Sequence, residues 1–119
     1  MLVESSLNVT SVWASEQHCA FTDLVHYQGQ WYCAFREASD HMSYDGIIRI
    51  MSSPDSLNWQ TACTLHWQGG DLRDPKFVID TQQRLILNAG VRQAIRVNRG
   101  CNTSSVCWLL NLQDQTWSQ

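Results

Sequence analysis

The sequence predicts an all-β chain of about two four-stranded antiparallel units, and three observations carry this. Helical periodicity is weak almost everywhere, while β-branched and aromatic runs alternate with turns rich in Gly, Asn, Asp, Pro and Gln. The strand pattern runs once and restarts near residue 71. Tryptophan is frequent, six in 119 residues, and two of the six, Trp59 and Trp117, end polar turns in parallel positions.

The first clear strand is Phe21 to Tyr27, closed by the turn Gln28-Gly29-Gln30, where glycine takes a positive φ at least cost. Trp31 to Phe35 follows, with Trp31, Cys33 and Phe35 on one face. Polar residues 37–46 read as a loop. A third strand spans Gly46 to Met51, a turn spans Ser52 to Asn58, and a fourth strand spans Trp59 to Trp67. After a loop at 68–73, the second unit has strands at Asp74 to Asp80 and Arg84 to Ala89. A long loop is expected from Gly90 to Thr103, then a strand from Ser104 to Leu110 and a polar turn ending in Trp117. The second unit is therefore expected to stop where its fourth strand should begin. Leu7 to Trp13 is a spare strand-like segment, suited to complete that unit in its own chain or in a neighbour.

The two halves correspond. Asp23 and Asp74 lie 51 residues apart, and Trp59 and Trp117 lie 58 apart. A period of about 40 to 50 residues with four short strands is the signature of β-propeller blades. The expected organisation is a single domain, 1–119, with blade 1 at about 18–67, blade 2 at about 71–119 and the extra strand at about 7–13. The alternative is a single antiparallel sandwich whose halves match by accident. Two blades alone leave both broad faces open to water, and stacking is what buries a repeat's core. Self-association follows. A homotrimer, giving six blades in a closed ring, is favoured over a dimer.

Composition removes several classes. With 44% hydrophobic and 16% charged residues the chain is globular rather than disordered. Its net charge is −3 and Lys76 is its only lysine, so the surface that neutralises nucleic-acid phosphates is missing. No apolar run reaches the roughly 20 residues of a membrane span. Met1-Leu2-Val3-Glu4 shows no signal-peptide pattern, so a cytoplasmic location is expected. Cys19, Cys33, Cys63, Cys101 and Cys107 form no CxxC pair, and His18, His26, His41 and His66 have no metal spacing. Reduced thiols, no metal and no cofactor are the expectation.

Three runs carry a family resemblance: Phe21-Thr22-Asp23-Leu24, Trp31-Tyr32-Cys33-Ala34-Phe35-Arg36-Glu37, and Asp71-Leu72-Arg73-Asp74-Pro75-Lys76. Together they resemble the first two blades of sialidase-like, six-bladed propellers. Those proteins repeat an aspartate-containing turn, the Asp-box, between outer strands. Ser53-Pro54-Asp55-Ser56-Leu57-Asn58-Trp59 is similar to that turn, with Ser56 where glycine is common. Residues 111–117, ending in Trp117, look like a degraded copy. The likeness covers residues 8–119, about a third of a full propeller. Arg73-Asp74-Pro75 is also similar to a triplet of five-bladed fructosidase-type propellers, where the aspartate stabilises the transition state. Independently of family, a short Asp or Ser side chain accepts the N–H groups of its own turn, and the following tryptophan packs between strands. Ser53, Asp55, Trp59 and Trp117 are therefore read as structural.

In an up-and-down sheet alternate loops share an edge. That places residues 36–44, 67–73 and 90–101 on one face and the Ser/Asp turns on the other. The first face collects Arg36, Glu37, Asp40, His41, Tyr44, Asp71, Arg73, Arg92 and Arg99. Glycoside hydrolysis needs an acid and a second carboxylate or base, and Asp23, Glu37 and Asp74 are the candidates. Arg36, then Arg73, would grip a ligand carboxylate through two N–H donors, with Asp40, Tyr44 and Asp71 around them. The bland alternative is an Arg36–Glu37 ion pair and a loop tied down by Asp71, Arg73 and Asp74. The resemblance implies a tyrosine nucleophile from a later blade, which this chain lacks. The leading expectation is a self-associating partial propeller that binds a small sugar or anionic ligand without catalysis. The alternatives are a glycoside hydrolase active only as a homo-oligomer and a vestigial fragment with no ligand.

Overall fold

A computed structural model describes residues 6–95 and 100–119. It contains two four-stranded antiparallel sheets and, among the described residues, no helix long and apolar enough to cross a membrane. Sheet A comprises β1 (His18–Tyr27), β2 (Gln30–Ala38), β3 (Ile47–Ser53) and β4 (Gln60–Leu65). Sheet B comprises β5 (Asp71–Ile79), β6 (Leu85–Ile95), β7 (Gly100–Asn111) and β8 (Thr116–Ser118). Each sheet is a plain meander in sequence order.

Alternation along the strands decides which residues meet. Tyr32, Ala34, Ile48 and Ile50 of sheet A and Leu85, Leu87, Ala89 and Val91 of sheet B form one buried cluster between the sheets. Ile48, Ile50, Leu85 and Leu87 are fully buried there. Burying one such side chain stabilises the fold by about 1.5–3 kcal/mol. The opposite face of sheet A gathers Cys33, Phe35 and Met51 under Val12 and Trp59.

Three expectations are corrected. Residues 7–13 form no strand. Trp13 instead lies across the outward face of sheet A, its Nε1 donating to Glu37 Oε2 at 2.6 Å and its ring 4.1 Å beneath the Arg49 guanidinium. These side-chain contacts turn the segment over the sheet and away from a pairing edge. The second unit does have a fourth strand, because the side chains of Asn111 and Asp114 close a tight turn and Thr116–Ser118 folds back on Leu109–Asn111. The long loop after Gly90 is a hairpin: pairing runs unbroken from Gly90↔Ser105 to Ile95↔Gly100, with Val91 and Arg92 buried and residues 102–105 exposed. Arg99 and the segment Met1–Glu4 lie outside the described residues.

The internal repeat also shifts. Both inner strands carry a β-bulge, between Ala20 and Asp23 in β1 and between Arg73 and Lys76 in β5. Phe21 (φ 60°) and Asp74 (φ 51°) occupy the left-handed position of the two bulges, 53 residues apart. Asp74 therefore matches Phe21, and Asp23 matches Lys76. Asp tolerates this backbone conformation better than Phe does, so the bulge in β5 is the less strained of the two.

At one end, the turns after β3, β5 and β7 are each organised by a carboxylate. Asp55 accepts from the amides of Leu57 and Asn58, at 2.9 and 2.8 Å, and from the Asn58 side chain. Trp59 Nε1 closes the turn on the Ser56 carbonyl, and Ser56 takes φ 65°. Asp80 accepts from Gln82 and Arg84, and Asp114 from Thr116. At the other end Asp45 accepts from the Ser43 hydroxyl and the Ser39 amide. Hydrogen bonding holds Asp55, Asp80 and Asp114 below the usual carboxylate range, and the bonds from Ser43 and Ser39 bring Asp45 down to about 2.

Leu87→Ala should cost about 2–5 kcal/mol in denaturant unfolding, because the cavity opens in the layer between the sheets. Lowered carboxyl groups stabilise above their unfolded value, near 4, and that stability is lost as pH falls through the folded value. Unfolding midpoints should therefore be level above about pH 5 and drop from about pH 4 toward 2. Asp45→Asn should make that drop shallower; midpoints that rise below about pH 4 would contradict the assignment.

Candidate functional site

Sheet A and sheet B meet at one rim through a single buried carboxylate. Asp71 is fully buried. Its Oδ1 accepts from Arg36 Nε at 2.9 Å, from Arg36 Nη2 at 2.8 Å and from the Gly46 amide at 3.0 Å. Its Oδ2 faces Arg73 Nη1 at 3.4 Å and Arg92 Nη2 at 3.3 Å. Three guanidiniums from β2, β5 and β6 thus surround one carboxylate, an excess of two positive charges. A buried charge is tolerated only when its lone pairs are filled, and here they are.

The arginines also clamp residues 39–46, the β2–β3 loop. Arg36 donates to the carbonyls of Asp40 and Ser43, each at 3.0 Å. Arg73 donates to the carbonyl of His41 at 2.8 Å, and Arg92 to those of Met42 at 2.7 Å and Ser43 at 2.9 Å. Gly46 must be glycine: a Cβ there would collide with the Asp71 carboxylate, Arg36 Nε and the Leu72 carbonyl. Aromatic rings cover the cations, with Arg92 over Tyr44 at 4.1 Å and Arg73 over Phe21 at 5.3 Å.

Several residues expected to meet a ligand are used otherwise. Arg36 is fully buried and each of its nitrogens already donates to protein oxygen, so it has no fork left for a ligand. Asp71 is enclosed in the same way. Glu37 does not join Arg36, because neighbouring residues of a strand point to opposite faces. It lies on the outward face of sheet A, bonded to Arg49 Nη2 at 2.8 Å, to Trp13 and to Ser15. Burial alone would raise its carboxyl, but Arg49, Trp13 and Ser15 outweigh burial and lower it. Asp23 Oδ2 accepts from the Phe77 amide at 2.7 Å, just past the bulge of β5, and so fastens sheet A to sheet B. Asp40 is exposed, and its carboxylate accepts from the Met42 amide within its own loop. Tyr44 is half-exposed beneath Arg92.

Arg73 and Asp74 stay together, and the structure adds Arg92, Thr103 and Ser104 to them. These residues, with Gly90 and Val91, line a pocket of about 210 Å³. Cross-strand pairing puts Thr103 beside Arg92 and Ser104 beside the core residue Val91 in this lining. Arg92 Nε is buried without a hydrogen-bond partner. Thr103 and Ser104 were unreadable as site residues, because register alone carries them there: Arg92 pairs with Thr103 and Val91 with Ser104. A second pocket, about 190 Å³, is lined by Val12, Trp13, Cys19, Thr22, Cys33 and Phe35 and holds no carboxylate. Among the described residues no group of three or more His, Cys, Asp or Glu side chains is placed to hold a metal.

Removing the central carboxylate should unfasten the rim. Asp71→Ala leaves three cations around an empty space and should cost about 3–5 kcal/mol in chemical denaturation. Gly46→Ala, which adds one methyl group against the same carboxylate, should cost about 1–3 kcal/mol. A wild-type midpoint for both would show that the knot contributes nothing to folding.

No protein-family model matches the chain, and no curated protein matches it. Among solved structures it is similar to a crystal structure of a protein of unknown function from Dyadobacter fermentans, with a TM-score of 0.69 and 14% sequence identity. The match covers 87% of this chain and 36% of that one, so the chain spans little more than a third of its structural neighbour. At that identity the likeness is one of fold: two antiparallel four-stranded sheets, compatible with a propeller-like arrangement.

Proposed function

We propose that the chain is a partial, sialidase-like propeller that self-associates and holds a small anionic or sugar-acid ligand in the Arg73–Asp74–Arg92 pocket, without catalysis. The observation that carries this reading is a pocket of about 210 Å³ lined by Arg73, Arg92 and Asp74 beside an excess of positive charge, with Arg92 Nε buried and unpaired. Buried donors are nearly always satisfied, so Arg92 is the least satisfied of the three guanidiniums. Thr103 and Ser104 offer hydroxyls for sugar oxygens, and Asp74 offers an acceptor.

The carboxylates argue against hydrolysis. Glycosidases place two within about 5–9.5 Å across the scissile bond. Here Asp23 is bound to a backbone amide, Glu37 lies on another face, and Asp74 is the single carboxylate lining the pocket. The setting proposed is cytoplasmic. Cys19, Cys33, Cys63 and Cys107 are free, and burial pushes the thiols of Cys33 and Cys63 up, which keeps them unreactive.

The test is calorimetric titration with sugar acids and matched neutral sugars. Acids should bind and neutral sugars should not. Arg92→Lys keeps the charge and loses the Nε donor, and should weaken binding about ten-fold or more, since a hydrogen bond to a charged group is worth about 1.5–3 kcal/mol. Equal affinity for acid and neutral sugar, or turnover of fluorogenic glycosides that disappears in Asp74→Asn, would replace this reading with another.

A further inference from the structure

Gly90 lies within β6 and lines the pocket beside Arg73 and Arg92. Glycine weakens a strand interior, where it has no side chain to pack. It is kept there for a positive φ, for a crowded Cβ position, at a bulge, or where a ligand approaches closely. Among the described residues the positive-φ glycines are Gly29 and Gly69. A Cβ on Gly90 would meet the Arg73 carbonyl at 3.7 Å, an ordinary contact, whereas at Gly46 it would collide. Backbone and packing therefore leave room for a side chain at position 90.

The bulge needs no glycine either. Gly90 pairs with Arg73, at the shoulder of the β5 bulge. In sheet A the matching pair, at the shoulder of the β1 bulge, is Arg36 with Ala20. A full arginine side chain thus stands in sheet A where sheet B has Gly90. Arg36 fills its site and grips the carboxylate of Asp71. At Gly90 the side chain is missing, and the residue lines a pocket of about 210 Å³ whose guanidiniums come from Arg73 and Arg92. Of the reasons for a glycine in a strand, the approach of a ligand is the one left.

We infer that Gly90 is the specificity-determining residue of this pocket: its bare main chain is the floor on which a single sugar ring rests, with the ring's carboxylate toward Arg73 and Arg92. The inference rests on the ligand reading of the proposed function and narrows it from small anions to acids of one ring. Size agrees with this. A cavity of about 150 Å³ takes one benzene ring, so a pocket of about 210 Å³ takes one six-membered ring and its carboxylate. A ring face carries hydrogens, and a main chain without a Cβ lets that face settle closer than any other residue would. Around the floor, the hydroxyls of Thr103 and Ser104 and the carboxylate of Asp74 are placed for the hydroxyls at the ring's rim.

The test is Gly90→Ala in the full chain, read for stability and for binding. Alanine suits an ordinary strand backbone better than glycine, so the variant should melt at the wild-type temperature or up to a few degrees higher. Calorimetric titration should then show affinity for glucuronate weakened about ten-fold or more. Affinity for glycolate, an acid with no ring to rest on the floor, should be unchanged. Gly90→Val, a side chain that strands favour, should abolish glucuronate binding. A Gly90→Ala protein that melts well below wild type would show that the glycine serves the strand, and overturns the inference. Wild-type affinity of Gly90→Ala for glucuronate also overturns it, and the pocket reading then stands if Arg92→Lys still weakens binding. A wild-type protein that binds neither acid overturns the pocket reading and this inference with it.

Discussion

The carboxylate of Asp71 sits where three strands and a loop converge, and the remainder of the rim is arranged around its charge. A buried carboxylate is costly in isolation. Arg36 offsets that cost from sheet A, Arg73 from its own strand and Arg92 from the next, and each guanidinium then has donors left over. Those donors seek oxygen, and the carbonyls of residues 40–43 supply it. The loop is thus shaped by the demand of the arginines, and Gly46 is the residue that lets it approach closely enough. Arg92 is the member with a donor remaining, and the pocket beside Asp74 adjoins this rim.

The opposite end of the sheets is fastened by different chemistry. Tyr27 Oη donates to the Gln83 carbonyl at 2.7 Å, and Tyr32 Oη to the Gln115 side chain at 3.3 Å. Tyr32, Phe77 and Trp117 meet with ring centroids 6.2–6.5 Å apart. The carboxylate-built turns present these groups, so the turn chemistry supports contact between sheets as well as hairpin closure. Between the ionic rim and the aromatic end lies an apolar layer with no polar requirement beyond its backbone.

The strands were legible because alternation and turn residues write them directly into the sequence. The gathering of Arg36, Asp71, Arg73 and Arg92 on one rim followed from counting strands. Three features were not legible, each for a physical reason. The split of Arg36 from Glu37 depends on which face is buried, and both faces of β2 carry apolar residues. The bulges at Phe21 and Asp74 shift register without any glycine to announce them. The continuation of β6 to Ile95 and of β7 from Gly100 is hidden because polar residues such as Arg92, Gln93, Asn102 and Thr103 have the composition of a loop.

The loop at 39–46 is recognised almost wholly through its main chain. Arg36, Arg73 and Arg92 read the carbonyls of Asp40, His41, Met42 and Ser43, and only the Ser43 hydroxyl is approached as a side chain, at 3.5 Å. Every residue type presents the same carbonyl. Around the fixed glycine, exposed Met42 contributes only its backbone and is free to be exchanged without loosening the rim, whereas Asp40 closes the loop and His41 and Tyr44 pack on Phe21 and Arg92. Such a scaffold separates the inheritance of shape from the inheritance of surface chemistry, and leaves the most exposed part of the rim the easiest to diversify.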